Sequence, residues 1–160
     1  MAFVELSLTQ LREVLCYVKY IGSLDQGTSS TRFMIFDHAG KVVGRHKLEH
    51  RQIFPEAGWV EHDANEIWER TQEVITSALK QANILGSDLA AIGITNQRET
   101  TVVWDVTTGQ PLSNAIVWQD TRTTDFLASL TTKEQETIQF KTGLTIAPYF
   151  SGSKMNWFLT

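Results

Sequence analysis

Cysteine is almost missing from this chain: Cys16 is the single one in 160 residues. An internal disulfide framework is therefore excluded, and a reducing compartment, most simply the cytoplasm, is expected. No apolar run reaches the ~18 residues that a membrane-spanning helix needs, so no membrane span is expected. Positive charge is also short, with 14 Lys and Arg against 18 Asp and Glu, for a net charge of −4. A general nucleic-acid binder would show a basic stripe, so no nucleic-acid partner is expected. Repeats and low-complexity tracts are lacking, and no internal linker shows apart from a join near residue 18. What is present, 42% hydrophobic and 20% charged residues, is the make-up of a globular domain with its own core.

The chain is organised around Tyr20 to Arg32, which reads Y-I-G-S-L-D-Q-G-T-S-S-T-R. An apolar strand from Tyr20 to Leu24 stops at Asp25-Gln26-Gly27, the hydroxyls of Thr28, Ser29 and Ser30 follow, and a second apolar run spans Phe33 to Phe36. Such a loop is rich in N–H and O–H donors and suits a polyphosphate, with Gly27 expected at positive φ so that the backbone can approach the anion. Asp25 at the strand end is suited to a magnesium ion, through water. The plain alternative is an ordinary hairpin built of turn residues.

Before this stretch, Val4, Leu8, Leu11, Leu15 and Val18 fall at helical spacing, and residues 1–18 read as an atypical helical extension. Glu5, Arg12 and Glu13 interrupt the apolar stretch and do not fit a secretory signal. After it, Asp37 to Gly40 is a turn, and Lys41 to Glu49 a third strand of an antiparallel meander. Arg45, His46, Lys47, His50 and Arg51 read as a solvated face. Asp63 to Asn83 is the clearest helix: Asp63 and Glu66 form a capping box, Ile67, Trp68, Val74, Ile75, Ala78, Leu79 and Ala82 line a core face, and Gly86 is the stop signal. Leu89 to Ile94 reads as a strand buried on both faces. Short strands at Val102 to Trp104 and Ala115 to Trp118, a helix that starts near Thr121 to Thr124 and runs to Leu130, a second over Lys133 to Lys141 closed by Gly143, and a helical start at Ser153 complete the pattern.

Arg98 and Glu99 are neighbours at the end of a buried strand, and both reach one ligand only if the strand has ended there. A guanidinium fork beside a carboxylate suits vicinal hydroxyls, each of which donates and accepts. Trp118 can wall a carbon backbone, and Tyr149 can add a phenolic hydroxyl. The plain alternatives are a structural ion pair for Arg98 and Glu99, core for Trp118 and loop for Tyr149. Because ligands gather at the carboxyl ends of strands in open α/β sheets, one site built from several strand ends is expected.

The motifs L-D-Q-G-T-S-S-T-R, G-W-V-E-H-D, A-A-I-G-I-T-N-Q-R-E-T-T-V-V-W, N-A-I-V-W-Q-D-T-R and P-Y-F-S-G resemble the FGGY carbohydrate kinases, and within them the glycerol-phosphorylating branch. D-Q-G-T is shared widely among sugar kinases, whereas N-Q-R-E-T followed by A-I-V-W-Q-D-T-R marks the glycerol branch. The resemblance implies an α/β, actin-like or ribonuclease-H-like ATPase fold, here the partial first domain over residues 19–160, with a mixed sheet of antiparallel meander plus parallel strands and flanking helices. It implies ATP and Mg2+ as cofactors, phosphate contacts from Thr28, Ser29, Ser30 and Arg32, and a metal-linked Asp25. It implies glycerol contacts from Arg98, Glu99 and Tyr149, with Thr28 adjoining and Trp118 against the carbons. The implied reaction gives sn-glycerol 3-phosphate, in a cytoplasmic enzyme that forms a homo-oligomer at full length.

Two departures follow. Residues 1–18 have no counterpart in the family and read as a non-native leader. Members are also far longer, so the general base, a second phosphate loop and the adenosine pocket are expected beyond Thr160, no catalytic base is assigned here, and the chain alone is expected to be inactive. The rival readings are a kinase of another polyol or sugar, a non-catalytic nucleotide- or polyol-binding module of the same fold, and a ribonuclease-H-like nuclease. The nuclease needs clustered carboxylates for two metals, and only Asp25 is placed for that.

Overall fold

The structure is a computed structural model that describes residues 20–160; the helix expected in residues 1–18 lies outside the described residues. Along the chain come β1 (Tyr20–Gln26), β2 (Ser30–Asp37), β3 (Val42–Glu49), β4 (Glu61–His62), α1 (Ala64–Ala82), β5 (Leu89–Thr95), β6 (Ala115–Ile116), α2 (Thr124–Ala128), α3 (Thr132–Thr142) and α4 (Ser151–Leu159). These elements form two compact units, one of residues 20–49 and 69–96, the other of residues 50–68 and 97–160.

The first unit carries a mixed four-stranded sheet in the order β3-β2-β1-β5. β1 pairs with β2 and β2 with β3 antiparallel, and β1 pairs with β5 in parallel, which is the expected meander plus parallel strand. Register sets Leu24 opposite Phe33 and Gly22 opposite Ile35. Since side chains alternate along a strand, this puts Leu24, Phe33 and Ile35 on one face, where they pack with Val74 and Ala78 of α1. Phe33, Ile35 and Val74 are fully buried, and each contributes roughly 1.5–3 kcal/mol of transfer free energy.

α1 begins where the sequence places it. The Asp63 carboxylate accepts from the backbone N–H groups of Asn65 and Glu66, at 2.9 and 3.3 Å, filling the N-cap role. Glu66, the expected second half of a capping box, is engaged by Arg51, whose backbone N–H and Nε lie 3.2 and 2.9 Å away. The helix ends at Ala82, one residue before the expected Asn83, and the stop is made by Asn83 and not by Gly86. Asn83 adopts φ of 53°, its N–H reaches the Lys80 carbonyl, and the Ile84 N–H reaches that of Leu79. This double closure is a Schellman motif with Asn in the left-handed position, one of the few residues besides Gly that tolerates it.

The second unit is held by a short ribbon in which Glu61 faces Ile116 and His62 faces Ala115. Around it, Arg122 is almost wholly buried and bonds Asp120 and Glu61 at 2.8 Å each. Its guanidinium lies 3.8 Å from the Trp59 ring centroid and 4.7 Å from that of Trp157. Burial opposes the charge on Arg122, but its hydrogen bonds and charge contacts with Asp120 and Glu61 outweigh that and raise its pKa. The G-W-V-E-H-D and W-Q-D-T-R motifs are thereby tied together. Gly58 belongs to the same knot: at φ of 81°, a Cβ there would collide with the Thr121 hydroxyl.

Several expectations are corrected. β5 is an edge strand, and Ile92 and Ile94 are 47% and 72% exposed, because no described residue covers them. Trp68 is exposed, not core, and Thr71 takes a buried place on α1. His50 is buried against His62, with ring centroids 4.6 Å apart, and is not part of a solvated face. Val102 to Trp104 forms no strand; only isolated bridges at Thr101 and Trp104 occur, because the Asp105-to-Gln110 turn follows at once. The strand expected at Ala115 to Trp118 stops at Ile116.

Candidate functional site

In the first unit, β1 and β2 meet in the tight hairpin Gly27-Thr28-Ser29-Ser30, closed by the Gly27 N–H donating to the Ser30 carbonyl at 3.0 Å. Ser30 is the first residue of β2, so the turn proper is Thr28-Ser29, with Thr28 half-buried and Ser29 exposed. Gly27 does not have positive φ. Its requirement is closeness: an added Cβ would sit 3.1 Å from the Ser30 carbonyl oxygen, because Gly27 and Ser30 are a directly bonded pair across the hairpin.

Asp25 and Arg32 are register partners on the sheet face opposite Leu24. Arg32 donates to Asp25 Oδ2 at 2.6 Å, with both side chains still part-exposed. The loop carries hydroxyls, backbone donors and a cation but no acidic side chain between Gly27 and Arg32, a donor set that fits a polyanion. Asp25 is a single carboxylate, and no group of three or more His, Cys, Asp or Glu converges among the described residues. These residues fit a cation shared with phosphate oxygens and water, not a cage supplied by protein.

In the second unit, the geometry gathers the other candidates. β5 ends at Thr95, so Arg98 and Glu99 lie past the strand, as their use on one ligand requires. Glu99 adopts φ of 65°, a left-handed conformation disfavoured for a side chain of this kind. Its carboxylate is not paired with Arg98. Oε2 instead accepts from the Ser151 backbone N–H at 2.8 Å and the Ser151 hydroxyl at 2.7 Å. Those two bonds, helped by the charges of Lys154 and Arg98, hold the carboxyl below the usual glutamate range, so it is anionic at neutral pH. Arg98 beside it is exposed.

Trp118 and Tyr149 meet edge to face, with ring centroids 5.8 Å apart. The Trp118 N–H is held by the Thr100 hydroxyl at 3.2 Å, next to Glu99 in the chain. Tyr149 and Ser151 flank Phe150, the N-cap residue of α4. Glu99, Trp118 and Tyr149, far apart in sequence, thus belong to one local framework. A separate cavity of about 580 Å3 reaches Glu99 and Ser151, but apolar chains such as Phe126, Leu130 and Phe150 line it, and Arg98, Trp118 and Tyr149 do not. Its walls do not suit a polyol.

Two participants were not anticipated from sequence: Ser151 and Lys154. Ser151 follows an aromatic pair and reads as loop, and only the fold shows its two donors converging on Glu99.

A family model described as the FGGY family of carbohydrate kinases, N-terminal domain, matches residues 20–160. The chain belongs to this family. The glycerol kinase 3 of Streptomyces avermitilis is 61% identical over 141 residues, and a glycerol kinase of Haloferax volcanii is 57% identical over 141. Each alignment covers 88% of this chain and 28% of the relative, so the chain spans little more than a quarter of the length of these relatives. Among solved structures, Plasmodium falciparum glycerol kinase with ADP superposes with a TM-score of 0.82 at 37% identity, over 88% of this chain and 28% of that one. A ligand-bound xylulose kinase from Lactobacillus acidophilus superposes with a TM-score of 0.80 at 26% identity, over 89% and 28%. The fold of this FGGY chain is therefore the mixed α/β, actin-like ATPase type, in part.

Proposed function

We propose that this FGGY chain is the amino-terminal part of a glycerol kinase, which transfers the γ-phosphoryl group of ATP to a terminal hydroxyl of glycerol and yields sn-glycerol 3-phosphate and ADP. The carrying observation is Glu99: an ionised carboxylate fixed through one oxygen by Ser151, beside the exposed cation of Arg98 and the Trp118–Tyr149 edge. Oε1 is bonded by neither Ser151 group and is the acceptor for substrate hydroxyls, Arg98 is the donor, and the aromatic edge covers carbon. Anchored groups of this kind hold the alcohol still, which is most of what phosphoryl transfer asks of a protein.

The Thr28-Ser29 turn, with Ser30 and Arg32, grips phosphate oxygens. Magnesium, when bound, would neutralise phosphate charge, and Asp25 would help to hold it through water. As the substrate hydroxyl oxygen bonds to the γ-phosphorus, the bond to the bridging oxygen breaks, and the hydroxyl proton passes to a base supplied beyond Thr160. Residues 19–160 then form part of the first kinase domain of a cytoplasmic enzyme, a compartment in keeping with Cys16 as the single cysteine.

A chimera tests this reading. Residues 20–160 replace the matching stretch of the Streptomyces avermitilis enzyme, and ADP release is followed with glycerol, xylulose and propane-1,2-diol. Turnover of glycerol, with the diol at least about tenfold poorer because a site built for a hydroxyl rejects its absence, is the expected result. Preference for xylulose would favour another FGGY substrate, and equal use of the diol would remove the hydroxyl-recognition role.

A further inference from the structure

Lys154 is the most improbable side chain in the second unit. It is fully buried, and among the described residues no carboxylate lies within ion-pair distance of it. Its ammonium donates instead to two backbone carbonyls, Tyr149 O at 2.6 Å and Glu99 O at 3.3 Å. Burial lowers its pKa, while the more distant charges of Asp120 and Glu99 act to raise it. A buried ammonium is costly compared with an apolar side chain of similar volume, so its position calls for a reason. The two carbonyls it joins belong to two of the residues assigned to glycerol, Glu99 and Tyr149. Ser151 and Lys154 also sit one turn apart on α4, on the same side of the helix.

We propose that Lys154 is a positioning residue for the polyol site, a role that rests on the glycerol reading above. One turn of α4 clamps Glu99 twice: Ser151 fixes the carboxylate, and Lys154 fixes the backbone carbonyl behind it while tying down Tyr149. The left-handed backbone of Glu99 is the part in need of restraint, because an unrestrained Glu relaxes toward negative φ and swings its carboxylate away. The hydroxyl acceptor and the phenol are thereby kept at one spacing before substrate arrives.

Two measurements test this, and the first does not depend on glycerol. In the 160-residue chain, Lys154→Met should speed hydrogen exchange of the Ser151 amide at least about tenfold, with amides of β1 and β2 unchanged. Unchanged Ser151 exchange would overturn the clamp. In the chimera, Lys154→Met should raise the glycerol KM roughly tenfold with the ATP KM within about twofold, and should cost less than about threefold more when Glu99→Ala is already present. Equal shifts of both KM values, or losses that multiply independently, would reduce Lys154 to general stability and overturn the positioning role. If Lys154→Met does not fold, Lys154→Gln, too short to span both carbonyls, is held to the same criteria. Failure of the glycerol reading shows separately, as glycerol use unaffected by Glu99→Ala while the exchange result stands.

Discussion

A carboxylate that already takes two hydrogen bonds on one oxygen is aimed before any ligand arrives, and removing it leaves hydroxyls unpartnered. In the chimera, Arg98→Ala and Glu99→Ala should each lower kcat/KM for glycerol by about tenfold or more, since a charge-assisted hydrogen bond is worth about 1.5–3 kcal/mol. Unaltered glycerol kinetics in both variants would make the pair structural. His62 gives a second prediction at this scale. Burial, with the neighbouring His50, lowers its pKa to about 4. The unfolded chain, with an ordinary histidine near 6.5, therefore binds a proton that the folded chain refuses. Stability should be complete above about pH 6.5 and fall as pH drops toward 4, by roughly 3 kcal/mol at most. Denaturant midpoints across this window should show the loss, and His62→Gln should flatten it; an equally steep profile in that variant would assign the loss elsewhere. His50 and Glu66 are the titratable groups that act on it, His50 lowering and Glu66 raising its pKa. Arg98, Glu99 and Trp118 stand out in the sequence because their side-chain chemistry is unusual just past an apolar run, and Tyr149 because it puts a phenol in a short loop. Lys154, Ser151 and His62 do not, because their roles depend on which carbonyls and rings the fold brings to them.

Strands, turns and helix ends were read well where the signal is local, and poorly where burial decides. The meander from β1 to β3, the N-cap at Asp63 and the stop at Gly143, which has φ of 72°, are consequences of neighbouring residues. The apolar run of β5 looks like a core strand, yet it lies at a sheet edge, since period-two patterning says what a strand can bury and not what covers it. Trp68 failed for the same reason. Gly27 shows how a right residue can carry a wrong cause. Its hairpin partner's carbonyl, not its φ, excludes a side chain. Gly27→Ala should therefore be tolerated with a shift of a few tenths of an ångström, whereas Gly27→Val adds two branches that must push Ser30 away. In the chimera, Val should raise the ATP KM clearly more than Ala, with the glycerol KM little changed. If Ala and Val act alike, backbone conformation and not hairpin closeness is the constraint.

At the scale of the molecule, this FGGY chain carries Glu99 beside Arg98, the Trp118–Tyr149 edge and the hydroxyl-rich hairpin between β1 and β2, but it spans only 28% of the length of relatives such as the Streptomyces enzyme. Many large apolar side chains lie open, among them Ile94, Trp104, Val106, Phe140 and Leu159. With the base assigned beyond Thr160, the 160-residue chain by itself should not phosphorylate glycerol at a measurable rate. General-base assistance alone is typically worth 10²- to 10⁴-fold, and a site open to water weakens every charge contact it makes. The same residues within the chimera should turn over, because the host then supplies base and enclosure. The measurement is coupled ADP release for the chain and the chimera at equal concentration, each with an Arg98→Ala control. Glycerol-dependent turnover by the chain alone, lost in its control, would mean that residues 20–160 already hold a complete active site, and the assignment of the base elsewhere would fall.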